Sequence, residues 1–139
     1  MSFKIFSCFL LSSVIASCQV HWSKTTDWTL YGYQGRRMFD IPVDSLNSFA
    51  TLKLNQDTVI SYLSSAEILK DPVIWMGGYV TTCKVNGEIR KIEFSNYGNF
   101  FYDDKSKSYY QLPSEKIETW LSYLQQSLIT LAHRRKLSN

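Results

Sequence analysis

The sequence predicts an α+β domain, with two helices packed on one face of an antiparallel sheet. Three observations carry the prediction. Asn86-Gly87 sits inside the β-rich stretch VIWMGGYVTTCKVNGEIRKIEFS, and this dipeptide is preferred where a two-residue type I′ turn joins paired strands. A second pair of aromatic-rich runs follows, Phe100–Tyr102 and Tyr109–Leu112, around the polar stretch Asp103–Ser108. Near the C-terminus, Ile117, Trp120, Leu121, Leu124, Leu128 and Leu131 recur at helical spacing. One Trp and five aliphatic residues on a single stripe need a sheet to cover, which gives the two-layer arrangement.

The elements follow in order. Trp28–Phe39 is aromatic and partly alternating, and Gly32 and Gly35 interrupt it, so a strand with a bulge or bend is expected. Pro42 then breaks the chain, and Asp44–Phe49 suits a helical turn. Asn55 or Asp57 can cap a helix whose apolar positions are Val59, Ile60, Leu63 and Ala66, with Pro72 as its stop. The Asn86-Gly87 turn pairs Val85 with Glu88, Cys83 with Arg90, Thr81 with Ile92 and Tyr79 with Phe94. The face carrying Tyr79, Thr81, Cys83, Val85, Ile92 and Phe94 is therefore expected to look inward. In the second hairpin, adjacent aromatics such as Phe100/Phe101 and Tyr109/Tyr110 must point to opposite faces. After Pro113, Ser114 can cap the last helix, and Glu115 and Glu118 suit its positive end. The chain shows no internal repeat and no second domain, so residues 28–139 read as a single domain.

The N-terminus has a different character. Met1–Ser17 offers one lysine, Lys4, and then an apolar run from Ile5 to Ala16. That run is shorter than the ~20 residues of a spanning helix and matches the apolar core of a secretory signal. A buried first helix or strand is the alternative. It would have to accommodate Ser7, Ser12, Ser13 and Ser17, and it has no N-cap before it. Ile15-Ala16-Ser17-Cys18 resembles the lipobox of bacterial lipoproteins: an aliphatic residue, two small residues and a cysteine. The resemblance implies a diacylglycerol (palmitate-type chains) in thioether linkage to Cys18, cleavage after Ser17, and membrane anchoring by two or three acyl chains. Gln19 in place of the Asp that retains many lipoproteins in the inner membrane implies the outer membrane, facing the periplasm. Residues 1–17 are then signal peptide, and the polar stretch 18–27 reads as a tether from the lipidated Cys18.

Of the three cysteines, this reading leaves Cys83 as the one thiol in the mature domain; without lipidation a Cys18–Cys83 disulfide becomes the alternative. Cys83 reads as a buried hydrophobe, having no His or CxxC partner nearby in sequence. Removing Lys4 takes the net charge from +3 to +2. No clustered basic face marks a nucleic-acid binder, and the run His133-Arg134-Arg135-Lys136 falls where a helix C-terminus favours positive charge, with contact to anionic lipid headgroups as the alternative.

The inventory for chemistry is thin. No HExxH, GxSxG, CxxC, P-loop or dinucleotide fingerprint occurs, and the two histidines are His21 and His133. Asp103-Asp104, beside Lys105 and Lys107, reads as a solvated hairpin tip without the oxygen ligands of a calcium loop. No catalytic residue, metal ligand set or cofactor is therefore assigned, and the chain reads as a non-enzyme. Gly77-Gly78 marks a bulge or a close approach, with a helix packed tightly over the sheet as the plainer explanation. The density of aromatics around it supplies binding candidates, Trp75, Tyr79, Tyr97, Phe101 and Tyr109, with a sheet covered on both faces within the domain as the plainer explanation. The leading expectation is a lipid-anchored module that binds a protein partner, of immunity, inhibitor or envelope-accessory type. The helix-then-hairpin order is loosely similar to PepSY-type inhibitory domains, an order of elements that transfers no residues. A glycan or peptidoglycan binder and an envelope hydrolase with a site assembled from distant residues are the other classes. A partner-binding protein should expose an aromatic patch with a polar rim, and a glycan binder should show planar aromatics beside amides. An enzyme should hold perturbed titratable groups in a pocket.

Overall fold

A computed structural model describes residues 20–33 and 40–137. The expected signal peptide of residues 1–17, Cys18 and Gln19 of the expected tether, and the 34–39 part of the expected first strand lie outside the described residues. Among those described, seven strands form one open antiparallel sheet: β1 (Thr26–Tyr31), β2 (Thr51–Lys53), β3 (Glu67–Ile68), β4 (Gly78–Val85), β5 (Glu88–Ser95), β6 (Phe100–Asp103) and β7 (Ser108–Gln111), in the order β2-β1-β4-β5-β6-β7-β3. Two helices, α1 (Gln56–Leu63) and α2 (Ser114–Leu137), complete the α+β fold, and 3-10 turns occupy Trp22–Lys24 and Val43–Ser48.

The central hairpin forms with the register that the turn dictates: Val85 faces Glu88, Cys83 faces Arg90, Thr81 faces Ile92, and Tyr79 faces Phe94. Asn86 and Gly87 both take positive φ, 51° and 80°, as a type I′ turn requires. The inward face is the one the pairing implied. Trp28, Leu30, Phe94, Phe101, Trp120 and Leu124 are all at most 1% exposed in one core cluster, which joins sheet to helices. Trp120 is the centre of this junction, its ring 5.0 Å from both Phe94 and Tyr62. Ile117, Leu121 and Leu128 pack at the margin of the same core, so the predicted stripe is the buried face of α2. Ser114 is the first residue of that helix.

α1 is capped by Asn55, whose side-chain oxygen accepts from Thr58 N at 2.9 Å, but it stops at Leu63, well before Pro72. The chain leaves the helix to pair Glu67 with Gln111 and Ile68 with Tyr110 on the otherwise open edge of β7. The first strand likewise starts and ends earlier than expected. It ends at Tyr31, and its irregularity falls between Thr26 and Thr29, where Asp27 has φ 58°, before Gly32 is reached. From Val20 onward the expected tether is part of the fold. Trp22 is buried with its ring 5.3 Å from both Phe101 and Tyr110, because the sheet leaves an aromatic surface uncovered at that corner.

The opposite face of the sheet is covered too, by the segment around Val43–Ser48. Leu46 and Val80 are fully buried there, ringed by Tyr31, Tyr33, Ile41 and Phe49. This cover buries two charges that alternation places on an outer face. Lys91 Nζ donates to Ile41 O at 2.6 Å and lies 3.0 Å from Glu93 Oε1, both side chains being at most 2% exposed. Glu93 Oε2 has no hydrogen-bond partner, and burial raises the pKa of Glu93 while Lys91 opposes the shift.

Candidate functional site

Three of the five aromatic candidates lie on strands and two, Trp75 and Tyr97, lie outside them. Tyr79 and Phe101 lie opposite Phe94 on the helix-covered side, 8% and 0% exposed, so they are core residues and offer no surface to a ligand. This corrects their assignment as binding residues, and strand alternation is the reason. Tyr109 falls on the other face, paired with Tyr102, while Trp75 and Tyr97 lie at the end of the sheet where β4 begins and β5 turns into β6. Trp75 stands edge-on to Tyr109 with centroids 6.1 Å apart, and Tyr109 packs on Tyr102 at 4.6 Å.

Here the irregular segment before β4 and the Asn96–Asn99 turn enclose a half-open cleft of about 320 Å³. It is lined by Val73, Ile74, Trp75, Met76, Tyr97 and Phe100, with Ser95, Asn96 and Asn99 as its polar part. Three large apolar side chains project around it: Ile74 at 92% exposure, Tyr97 at 72% and Met76 at 65%. Single exposed hydrophobics are ordinary on a protein surface, whereas several around one concavity mark a contact surface. Sequence reasoning named Trp75 and Tyr97 here through aromatic density but missed Ile74 and Met76. The run VIWM reads as the start of a buried strand, and only the actual start of β4 at Gly78 leaves those side chains outside.

The floor of the cleft is rigid. Gly98 N donates to Ser95 O at 2.9 Å, Phe100 N to Ser95 Oγ at 3.2 Å, and Ser95 Oγ to Asn99 Oδ1 at 2.9 Å. Leu112 N donates to Asn99 O at 2.9 Å, tying the turn to the start of α2. The wall formed by the segment before β4 is anchored at Gly78, which has φ 154°. A Cβ there would collide with the Phe94 carbonyl, so the glycine serves an approach to the backbone of β5 and not, as the plainer explanation had it, to an overlying helix.

Elsewhere the ionisable groups serve the fold. Asp103 is fully buried, not part of a solvated tip. Arg90 Nη1 and Ser106 Oγ both donate to its Oδ2 at 2.7 Å, and Lys105 N donates to Oδ1 at 3.1 Å. Burial pushes the Cys83 thiol up to about 12, with nearby Asp103 adding to the rise and Arg90 opposing it, so it is not a thiolate at neutral pH. Asp27 is held below the usual carboxylate range by hydrogen bonds from Lys53 and Lys84. Among the described residues no three His, Cys, Asp or Glu side chains are grouped to hold a metal ion, and no helix is long and apolar enough to cross a membrane. Comparison with protein-family models, with curated proteins and with solved structures gives no match.

Proposed function

We propose that this chain is a non-enzymatic binding lipoprotein of the bacterial envelope. Lipid on Cys18 anchors it, facing the periplasm from the outer membrane, and it docks a protein partner on the cleft between Val73–Met76 and Ser95–Phe100. The observation that carries the docking surface is the exposure of Ile74, Met76 and Tyr97 around one braced concavity. Such side chains cost the free domain little when they are changed, and they supply the apolar centre of an interface when covered. Asn96 and Asn99 give the polar rim that fixes register. The anchor is supported by Ile15-Ala16-Ser17-Cys18 at the end of an apolar run.

The test is purification of the anchored protein from its own membranes in mild detergent, beside an Ile74→Asp variant. A stoichiometric partner that accompanies the native chain and is lost from the variant is the expected result. Equal recovery with both chains would overturn the assignment of the cleft. Cys18→Ala should leave an unlipidated precursor outside the membrane fraction while the domain still folds, and normal membrane attachment of that variant would remove the anchor. A glycan ligand is the second reading, favoured by the amides of Asn96 and Asn99 beside Trp75 and Tyr97. Loss of binding to isolated cell-wall glycan in Tyr97→Ala, with no protein partner recovered, would select it.

A further inference from the structure

The chain becomes fixed in the fold unexpectedly close to Cys18. Val20 is 9% exposed and Trp22 6%, and the Trp22 ring is held against Phe101 and Tyr110. Only Gln19 separates Cys18 from Val20, and two chain steps reach at most ~7 Å. Val20 and His21 share a cleft of about 330 Å³ with Ile68 and Tyr110, on the β3 side of the sheet. β3 is an outermost strand only two residues long, and Ile68 on it is 47% exposed.

We propose that the anchoring bilayer is itself the partner of this edge: the β3 side of the domain, with Ile68 foremost, rests at the headgroup level of the membrane that holds the Cys18 lipid. The inference rests on the lipid-anchor reading and deepens it. Acyl chains within the hydrocarbon place the thioether at the boundary of the headgroups. With so short a link, the surface around Val20 cannot stand clear of that boundary. Ile68 is the exposed apolar side chain beside it, and apolar area entering the interface is favourable. Charge does not set the contact: exposed Lys24 and Lys70 are offset by exposed Glu67 and Asp71. The orientation therefore depends on chain length and Ile68, and only weakly on anionic lipid.

The opposite edge provides the control. β2 and β3 bound the seven-stranded sheet, and six strand spacings of ~4.8 Å put them roughly 29 Å apart. The lipidated full-length protein is reconstituted in phosphatidylethanolamine–phosphatidylglycerol vesicles, with a fluorophore on Ile68→Cys or, separately, on Lys53→Cys in β2. The mass of the N-terminal peptide first establishes whether Cys18 carries lipid. With lipid present, brominated lipids should quench the Ile68 probe several-fold more than the Lys53 probe. A Gly-Ser linker inserted between Gln19 and Val20 should abolish the difference. Equal quenching at both edges on a lipidated chain overturns the orientation and leaves the anchor standing. An unmodified Cys18 overturns the anchor and the orientation with it.

Discussion

Ile74→Ala separates a docking side chain from a structural one. Ile74 is 92% exposed, so in the free domain it makes almost no contact that truncation could remove. The variant should unfold at the same urea concentration as the native chain, within ~0.5 kcal/mol, as surface substitutions do. Covered by a partner, the same side chain loses three carbons of buried apolar surface at ~0.8 kcal/mol each. Complete burial then makes the change worth roughly 2 kcal/mol, a weakening of several tens-fold in Kd. The assay is calorimetric titration with the partner recovered from membranes, alongside urea unfolding followed by circular dichroism. Unchanged affinity would refute the placement of Ile74 at the interface. A loss of stability equal to the loss of affinity would refute the claim that the side chain is free in the unbound domain.

Further outcomes follow from three buried residues, Trp120, Asp103 and Cys83. Trp120→Ala should cost ~3–5 kcal/mol in urea unfolding, since the side chain is fully buried between Phe94 and Tyr62. Trp120→Phe should cost much less, because the buried indole N–H has no hydrogen-bond partner to lose. Asp103→Asn should destabilise by about 3–5 kcal/mol, because it leaves the Arg90 guanidinium largely buried without its carboxylate; a change under ~1 kcal/mol would show that the pair contributes little. Cys83 should resist alkylation in the native chain at pH 8 and react once unfolded. Its folded pKa of about 12 lies above the ordinary thiol value of 9.0, so its contribution to stability is complete below pH 9 and is lost as pH rises through 12. Native-state alkylation at the rate of the unfolded chain would contradict its burial.

How much of this was legible beforehand depended on the range of the interaction concerned. The Asn86-Gly87 turn fixed the register of eight residue pairs, since a type I′ turn admits one alignment of its flanking strands. The stripe on α2 was visible because helical periodicity is local, and the last 3-10 turn was signalled by Pro42. β2 and β3 carried no signal: three and two residues are too few to show a period, and they exist because β1 and β7 offer open edges. Phe101 was misplaced among the binding residues because aromatic density, unlike alternation, says nothing about which face a ring takes.

The charges of β5 show the same division. From the sequence, Lys91 and Glu93 alternate with Ile92 and Phe94 and belong to an outward face, and that is the face they occupy. Whether an outward face is also a wet one was decided by the segment around Leu46, which folds back over Val80 and holds Lys91 through Ile41 O. The sequence by itself determined the α+β class, the central hairpin and the buried face of the last helix, because turn chemistry and periodicity act between near neighbours. Tertiary structure alone decided that Val20 and Trp22 belong to the domain, that Glu93 is dry, and that Ile74 and Met76 face solvent. Each of those depends on what packs from far along the chain, and no short window of residues contains that information.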